Sequence, residues 1–441
     1  MLKYIVNSEN RHILPAIGCL FGVSAFRVTH VFLNPPSSST ASDGLRHWIN
    51  AQDTLGESPT SNWDPLLYQL YLATTQKLSG GIPELVTWFA ALLSLSMIFA
   101  WWYALSRILP KATALYCSAI FGLVPEWVGL YSFHLNETLF LTLLGYAVGL
   151  TFDCIHKMTV RCFVVSTVTW VLVSLTRGIG VPLMVVSLLN MLSLLNARQR
   201  ILGVATALAI VLPFSLPLAI KSYTSFRLIH PFGLNRGNEI MARTGALTQR
   251  LQLSRDGASW SYSFDSARGT DRPLAPISDY RTIRHGEVQM TIDLSNGDYK
   301  EEVNLPFADS QQALTLIGDD IIFTLFGVPW PHVSNGSSYA KLGWYTRWFW
   351  GILFLLLPLI LWLRKPLLRE ERLLVWLIFS WITIQFGGLF IPGQSRYRLP
   401  FEALSLLLLC SVAFRERILT KTVGKTDLGR VPDTQYSLDR S

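Results

Sequence analysis

Long apolar blocks recur along the 441 residues of this chain and constrain its fold more than any other feature. A helix that crosses a bilayer needs about 20 mostly apolar residues, and ten blocks reach or approach that length. Only 15% of the residues are charged, whereas a soluble domain carries about 25%. We therefore predict a polytopic α-helical membrane protein of about ten spans. The predicted spans are residues 13–33, 84–106, 112–131, 134–153, 162–176, 179–195, 201–222, 344–363, 373–391 and 399–414.

Lysine and arginine in the short loops predict the orientation, because they accumulate on the cytoplasmic side of a membrane. With a cytoplasmic N-terminus, every predicted inside segment is basic, from Lys3 and Arg11 to Arg415 and Arg417. An odd number of spans would break this alternation, so a cytoplasmic C-terminus is expected as well. The same loops account for the net charge of +8 without nucleic-acid binding. The first block is expected to be a retained helix, not a cleaved signal peptide.

The loop lengths predict the domain organisation. An N-terminal transmembrane domain (1–222) includes a long outside loop (34–83). A second outside segment (223–343) is too long for a connector, so it is expected to form a small extracytoplasmic α+β cap. C-terminal transmembrane helices (344–414) and a cytoplasmic tail (415–441) follow.

Within the cap, alternating residues over 288–294, an Asn296-Gly297 turn and a return over 301–305 predict a β-hairpin. A helix is expected after Asp309.

The first outside loop predicts an amphipathic helix that lies at the membrane interface, with Trp48 at the level of the lipid headgroups. Its polar face carries Asp43, Arg46 and His47. Asp43 is the candidate catalytic residue, since a carboxylate there can accept the proton of an attacking hydroxyl. The alternative is an ordinary acid in the first turn of a helix, where the dipole stabilises it. Arg46 and His47 are candidate substrate-binding residues.

Three further groups are candidate substrate-binding residues. His134 and Glu137 open a predicted helix on the outside, where ionisable groups are costly and tend to mark function; for Glu137, an ordinary acid stabilised in the first turn of a helix is the alternative. Arg177 separates two short apolar runs, and its guanidinium suits the phosphate of a lipid; snorkelling towards the headgroups is the alternative. The third group is Arg396, Tyr397 and Arg398, on an outside loop that is either a phosphate site or a solvated connector.

Several catalytic signatures are absent from the sequence. It has no phosphate-binding glycine loop, His-Glu-x-x-His, Gly-x-Ser-x-Gly or Asp-x-Asp motif, so nucleotide hydrolysis, zinc proteolysis and serine-esterase chemistry lack support. The five cysteines lie in or beside apolar blocks and match no zinc spacing, so neither a metal site nor a disulfide in the outside loops is expected.

Three stretches beside the predicted helix ends carry a family resemblance. They are Ser42-Asp43-Gly44 with Asn62-Trp-Asp-Pro-Leu-Leu-Tyr68, His134-Leu-Asn-Glu137, and Ser395-Arg-Tyr-Arg-Leu-Pro400 with Phe326–Pro331 and Leu342–Tyr345 upstream. Together they resemble GT-C glycosyltransferases, in particular bacterial proteins similar to dolichyl-phosphate-mannose-protein mannosyltransferases. The chain departs from this pattern in two places: Asp43 is followed by Gly44 instead of a second acid, and segment 223–343 matches no family element.

The resemblance implies a function and a location. It implies transfer of a sugar from a polyprenyl-phosphate donor to a glycan, lipid or protein acceptor, at the extracytoplasmic face of a bacterial inner membrane. Asp43 would activate the acceptor, Arg177, Arg396 and Arg398 would stabilise the departing phosphate, and His134 and Glu137 would shape the sugar pocket. No cofactor is implied beyond a possible divalent metal. A polysaccharide polymerase or ligase, or a lipid-linked-glycan transporter, is the alternative.

Overall fold

The computed structural model describes residues 2–36, 42–54, 65–226, 232, 247–253, 260–266, 288–293, 302–304, 321–322, 324–327, 338–364, 366–387 and 395–426. This part of the chain is mostly helical. Two 3-10 turns lie at Ala340–Leu342 and Ser395–Arg398. The helices are α1 (Leu2–Leu33), α2 (Ser42–Thr54), α3 (Leu66–Ser79), α4 (Pro83–Leu105), α5 (Lys111–Gly122), α6 (Pro125–Leu130), α7 (Asn136–His156), α8 (Val160–Thr176), α9 (Gly180–Ser193), α10 (Ala197–Phe226), α11 (Gly343–Leu363), α12 (Arg369–Gly387) and α13 (Leu399–Thr426).

Five of the described helices are long and apolar enough to cross a membrane, so the protein is an integral membrane protein. Three apolar helices are shorter, namely Val160–Thr176, Gly180–Ser193 and the segment Leu399–Phe414 of α13. The total of ten spans and the orientation of the termini stay predictions. The five long segments are His12–Leu33, Pro83–Leu105, Asn136–His156, Ala197–Ile220 and Gly343–Leu363.

The predicted span 112–131 is two helices and not one. Helix α5 ends at Gly122, and Val124 is extended, with φ −61° and ψ 116°. The cause is Pro125, which disfavours the helical conformation of the residue before it and then opens α6 as its first residue. The break turns Glu126 and Trp127 into the bundle.

Helix α7 is the centre of the bundle, and it packs against α4 and α8. It carries a Gly-x-x-x-Gly pair, Gly145 and Gly149, which faces α4. A methyl group on Gly145 would lie 3.0 Å from the Cβ atom of Ala100, so the two backbones approach as closely as small residues permit. This contact packs the middle of α7 closely against α4.

The described residues between 247 and 304 include four strands, and the order in the sheet is β2-β1-β3-β4 with antiparallel neighbours. Strands β3 and β4 pair with Ile292 opposite Val303, on the two segments for which a hairpin is predicted. The Asn296-Gly297 turn and most of the predicted helix after Asp309 lie outside the described residues. The α+β cap as a unit stays a prediction. The strands are β1 (Leu247–Leu253), β2 (Trp260–Ser266), β3 (Val288–Asp293) and β4 (Glu302–Asn304).

Candidate functional site

A buried ion pair lies where α7 begins and α8 ends. Nη2 of Arg177 is 3.3 Å from Oε1 of Glu137, and the two side chains are 8% and 4% exposed. Among the described residues, Nη1 of Arg177 and Oε2 of Glu137 are both buried without a hydrogen-bond partner. Because an unpaired buried polar atom is costly, this arrangement is suited to a ligand that presents an acceptor to Arg177 and a donor to Glu137.

Arg177 takes this position because α8 ends at Thr176, the residue before it. The residue is extended, with φ −163° and ψ 133°, and its carbonyl accepts a hydrogen bond of 2.8 Å from the amide of Gly180. Helix α9 starts at Gly180, so α8 and α9 form a tight hairpin. As predicted, Arg177 separates two short apolar helices, and it lies at the tip of the hairpin that they form.

Gly180 allows the two arms of this hairpin to meet. A Cβ atom at this position would lie 2.8 Å from the carbonyl oxygen of Val173 and 2.9 Å from the Cα atom of Ser174. Both are backbone atoms, so Gly180→Ala must push the helices apart. We expect a loss of about 1–3 kcal/mol of stability, measured by thermal unfolding in detergent. The matched control is Gly18→Ala, because open space surrounds Gly18. Equal stability of both variants would contradict this account.

Two aromatic rings contact the Arg177 guanidinium. Its Cζ atom lies 5.1 Å from the ring centroid of Tyr397 and 5.9 Å from that of Phe140. The backbone carbonyl of Tyr397 accepts a 2.9 Å hydrogen bond from Nε1 of Trp381 on α12. Both cation–π contacts orient the guanidinium without using its N–H donors. The structure therefore brings Glu137, Arg177 and Tyr397 together from three distant parts of the chain.

Arg398 is placed differently from its neighbour Tyr397. It is fully buried, and its Nε donates a 2.7 Å hydrogen bond to Oε1 of Glu402. Its Nη1 donates to the carbonyls of Thr324, Leu325 and Gly327. Glu402 also accepts a 2.8 Å hydrogen bond from Nε1 of Trp127. These bonds fix Arg398 in the protein core, while its Nη2 is buried without a partner among the described residues. The expected contact of Arg398 with the donor phosphate stays a prediction.

We expect Arg398→Lys to destabilise the protein although it keeps the charge. An ammonium on a flexible stem cannot reproduce the planar fork that reaches Glu402 and the three carbonyls. Lost hydrogen bonds to a charged group cost about 1–3 kcal/mol. The measurement is thermal unfolding in detergent, with Arg161→Lys at an exposed position as the matched control. If Arg398→Lys is as stable as Arg161→Lys, the hydrogen bonds of the Arg398 guanidinium do not stabilise the fold.

Helix α2 packs against the segment before α7. The rings of Trp48 and His134 stack, with their centroids 4.4 Å apart and an angle of 21° between the planes. A Cβ atom on Gly44 would lie 3.5 Å from the backbone nitrogen of His134. The carbonyl of Trp48 accepts a 2.7 Å hydrogen bond from Gln76 on α3. These contacts bring the start of α2 beside the segment that leads to Glu137.

Two of the remaining sequence-predicted residues, Asp43 and Arg396, have side chains outside the described part of the chain. Asp43 is the second residue of α2, and Arg396 lies in the 3-10 turn beside Tyr397. Arg46 is half-buried on α2. His47 is buried against Tyr68, and its Nδ1 lies 3.3 Å from Nε2 of Gln69. His47 therefore packs α2 against α3, and its expected contact with the substrate stays a prediction.

Burial lowers the pKa of His134 to about 4, and the nearby His47 contributes further. The ring is neutral at pH 7. An unfolded histidine has a pKa of about 6.5, so the unfolded chain binds the proton first as the pH falls. His134 therefore costs stability progressively from pH 6.5 towards pH 4, by up to about 3 kcal/mol.

We expect His134→Gln to reduce the acid sensitivity of folding. Thermal unfolding of the wild type and the variant at pH 7 and pH 4.5 measures the difference. The matched control is His12→Gln, since His12 is exposed. An unchanged loss of stability between the two pH values in His134→Gln would contradict the argument.

One buried acid was missed by the sequence analysis. Oε1 of Glu126 accepts a 3.1 Å hydrogen bond from Nε1 of Trp350 and another from the hydroxyl of Thr346. Its Oε2 has no partner among the described residues. The sequence did carry a signal for this residue, because Glu126 is an acid inside the predicted apolar span 112–131. Glu126 joins α6 to α11, so it connects the two transmembrane parts of the chain.

A buried arginine on α1 holds the break between α5 and α6. Arg27 is fully buried, and its Nε donates a 2.8 Å hydrogen bond to Ser94 on α4. Its two terminal nitrogens donate to the carbonyls of Gly122 and Trp127, at 3.0 and 3.3 Å. Arg27 thus satisfies the carbonyl of Gly122, the last residue of α5, and one carbonyl within α6. In the described part of the chain, no three His, Cys, Asp or Glu residues are grouped to hold a metal ion.

Comparison with known proteins gives a likeness in fold only. No family model and no curated protein matches the chain. One similar structure is the oligosaccharyltransferase AglB of Archaeoglobus fulgidus in complex with an inhibitory peptide and a dolichol-phosphate, with a TM-score of 0.46, 14% identity, and coverage of 96% of this chain and 53% of AglB. The second is the apo oligosaccharyltransferase of the same organism, with a TM-score of 0.46, 13% identity, and 95% and 52% coverage. The chain spans about half the length of these proteins, and at this similarity they assign it no family.

Proposed function

We propose that this protein is a membrane glycosyltransferase of the GT-C type that takes a sugar from a polyprenyl-phosphate donor. One observation carries the proposal, namely the buried pair of Arg177 and Glu137, in which one donor and one acceptor have no partner among the described residues. A sugar phosphate presents the complementary groups side by side, with acceptor oxygens on the phosphate and donor hydroxyls on the sugar. A guanidinium suits phosphate oxygens better than an ammonium does.

In the proposed reaction, an acceptor hydroxyl attacks the anomeric carbon of the donor. The new bond joins the acceptor oxygen to this carbon while the bond from the carbon to the phosphate oxygen breaks. The electron pair leaves with the polyprenyl phosphate, and the acceptor proton passes to Asp43. Attack opposite the phosphate inverts the anomeric centre. Nη1 of Arg177 stabilises the charge that develops on the leaving phosphate, which lowers the barrier.

The remaining residues support this reaction by binding or by position. Glu137 accepts a hydrogen bond from a sugar hydroxyl, and the ring of Tyr397 orients the Arg177 guanidinium through its cation–π contact. Arg396 is a second candidate for the phosphate because it adjoins Tyr397. His134 orients α2, and with it Asp43, through the stack on Trp48. The acceptor is a glycan, a lipid or a protein, and the reaction takes place at the extracytoplasmic face of a bacterial inner membrane.

The test is sugar transfer or release by purified protein from a panel of polyprenyl-phosphate sugars. The matched control donors carry the same sugars on a nucleoside diphosphate. We expect turnover of at least one lipid-linked donor and of no nucleotide sugar. Transfer of a whole preassembled glycan, and not of one sugar, would favour the polymerase or ligase alternative. No turnover of any donor by folded protein supplied with lipid extract would favour a transporter.

A further inference from the structure

Both carboxylate oxygens of Glu402, a buried residue in the first turn of α13, accept hydrogen bonds from other parts of the chain. Oε1 accepts a 2.7 Å bond from Nε of Arg398, and Oε2 accepts a 2.8 Å bond from Nε1 of Trp127. The helix dipole stabilises an acid in this turn, so the neighbouring pair with Arg398 alone would need no further role. The bond from Trp127 is different, because it comes from α6, 275 positions away in the sequence.

The 3-10 turn Ser395–Arg398, which carries Tyr397, is held from two sides. Its last residue, Arg398, is the partner of Glu402. On the other side, Nε1 of Trp381 donates a 2.9 Å hydrogen bond to the carbonyl of Tyr397, and the Trp381 ring stacks on Phe401 with the centroids 5.4 Å apart. The backbone around Tyr397 is therefore fixed by α12 and, through Arg398 and Glu402, by α6.

The position of this turn decides where the ring of Tyr397 lies relative to Arg177. The ring centroid is 5.1 Å from Cζ of the guanidinium, and a cation–π contact requires a distance within about 6 Å. A small shift of the turn therefore weakens the contact. The ring also leaves the N–H donors unused, so Nη1 of Arg177, which has no partner among the described residues, stays available to an anion.

We propose that Glu402 is a positioning residue of the Arg177 site, because it binds Arg398 and Trp127 and thereby holds the ring of Tyr397 against the guanidinium. The inference rests on the proposed function, since it adds a residue to the same site. The role requires a carboxylate, because both partners are donors and each needs an acceptor oxygen. Glutamine has the same shape but presents an N–H group to one of the two donors, so one hydrogen bond is lost.

The test is titration of undecaprenyl monophosphate into the full-length protein in lipid nanodiscs, with thermal unfolding measured in parallel. Glu402→Gln should weaken binding about fivefold, as expected for the loss of one cation–π contact. Tyr397→Leu removes the ring and should weaken binding by a similar factor. In the Tyr397→Leu background, Glu402→Gln should cause no further loss of affinity, although it should still lower the unfolding temperature. A purely structural role of Glu402 would not produce this difference between affinity and stability.

Two further variants complete the experiment. The matched control is Glu371→Gln, since Glu371 is a buried acid that binds Ser411 and the amide of Leu368 near the start of α12. It should lower stability and leave the affinity unchanged. Trp127→Phe keeps an aromatic ring and removes only the donor to Glu402, so it tests the same link if Glu402→Gln does not fold. It should weaken binding about threefold.

Wild-type affinity in folded Glu402→Gln or in folded Trp127→Phe would overturn the positioning role and leave the proposed function standing. The same conclusion follows if Glu402→Gln lowers the affinity equally with and without the Tyr397 ring, because Glu402 would then not act through Tyr397. If the wild type does not bind undecaprenyl monophosphate, the proposed function fails, and the positioning role fails with it.

Discussion

Replacing Arg177 with alanine is expected to abolish binding of undecaprenyl monophosphate and to destabilise the protein at the same time. The substitution removes the unpartnered Nη1 and leaves the carboxylate of Glu137, 4% exposed, without its cation. Breaking a buried pair in this way costs about 3–5 kcal/mol. Thermal unfolding in detergent measures the loss of stability, and titration in nanodiscs measures the loss of binding. Arg177→Lys keeps the charge but loses the planar set of guanidinium N–H donors. Its affinity for the lipid phosphate should therefore lie between those of the wild type and Arg177→Ala.

The double variant Arg177→Ala with Glu137→Gln separates the two effects. Glutamine removes the uncompensated charge, so a large part of the lost stability should return. Lipid phosphate binding should not return, because the guanidinium is still missing. A double variant that regains both would show that Arg177 acts only through folding. Equal lipid binding by wild type, Arg177→Lys and Arg177→Ala would remove Arg177 from the site.

Asp43→Asn is expected to bind the donor as the wild type does but to lose turnover. Asparagine has nearly the same shape as aspartate, so the fold should persist. It cannot accept the proton of the attacking hydroxyl, and loss of a general base lowers the rate by about 10²–10⁴-fold. The measurement is the initial rate of sugar transfer at saturating donor, together with donor affinity.

The matched control for Asp43→Asn is Glu84→Gln. Glu84 is an exposed acid in the first turn of α4, so its removal should leave the rate unchanged. Wild-type turnover by Asp43→Asn would end the catalytic assignment. Loss of donor affinity with an unchanged maximal rate would assign Asp43 to binding.

The helices were predicted correctly from sequence where the length and composition of an apolar block are enough to define a helix. The predicted spans 84–106, 134–153 and 344–363 agree with α4, α7 and α11 to within three residues at each end. The error at 112–131 came from a local signal that was present, because Pro125 interrupts the block. Hydropathy averages over a window and is insensitive to one residue that lacks an N–H donor.

What the sequence by itself determined is the class of the protein, an integral membrane bundle, and the position of Arg177 between two short helices. Only the tertiary structure decided what each polar residue touches. Arg396 and Arg398 look equivalent in the sequence, yet Arg398 is enclosed by Glu402 and three carbonyls. Glu137 and Arg177 meet although 40 residues separate them. The reason is that apolar patterning follows from local periodicity, whereas the partner of a buried charge depends on which helix ends pack together.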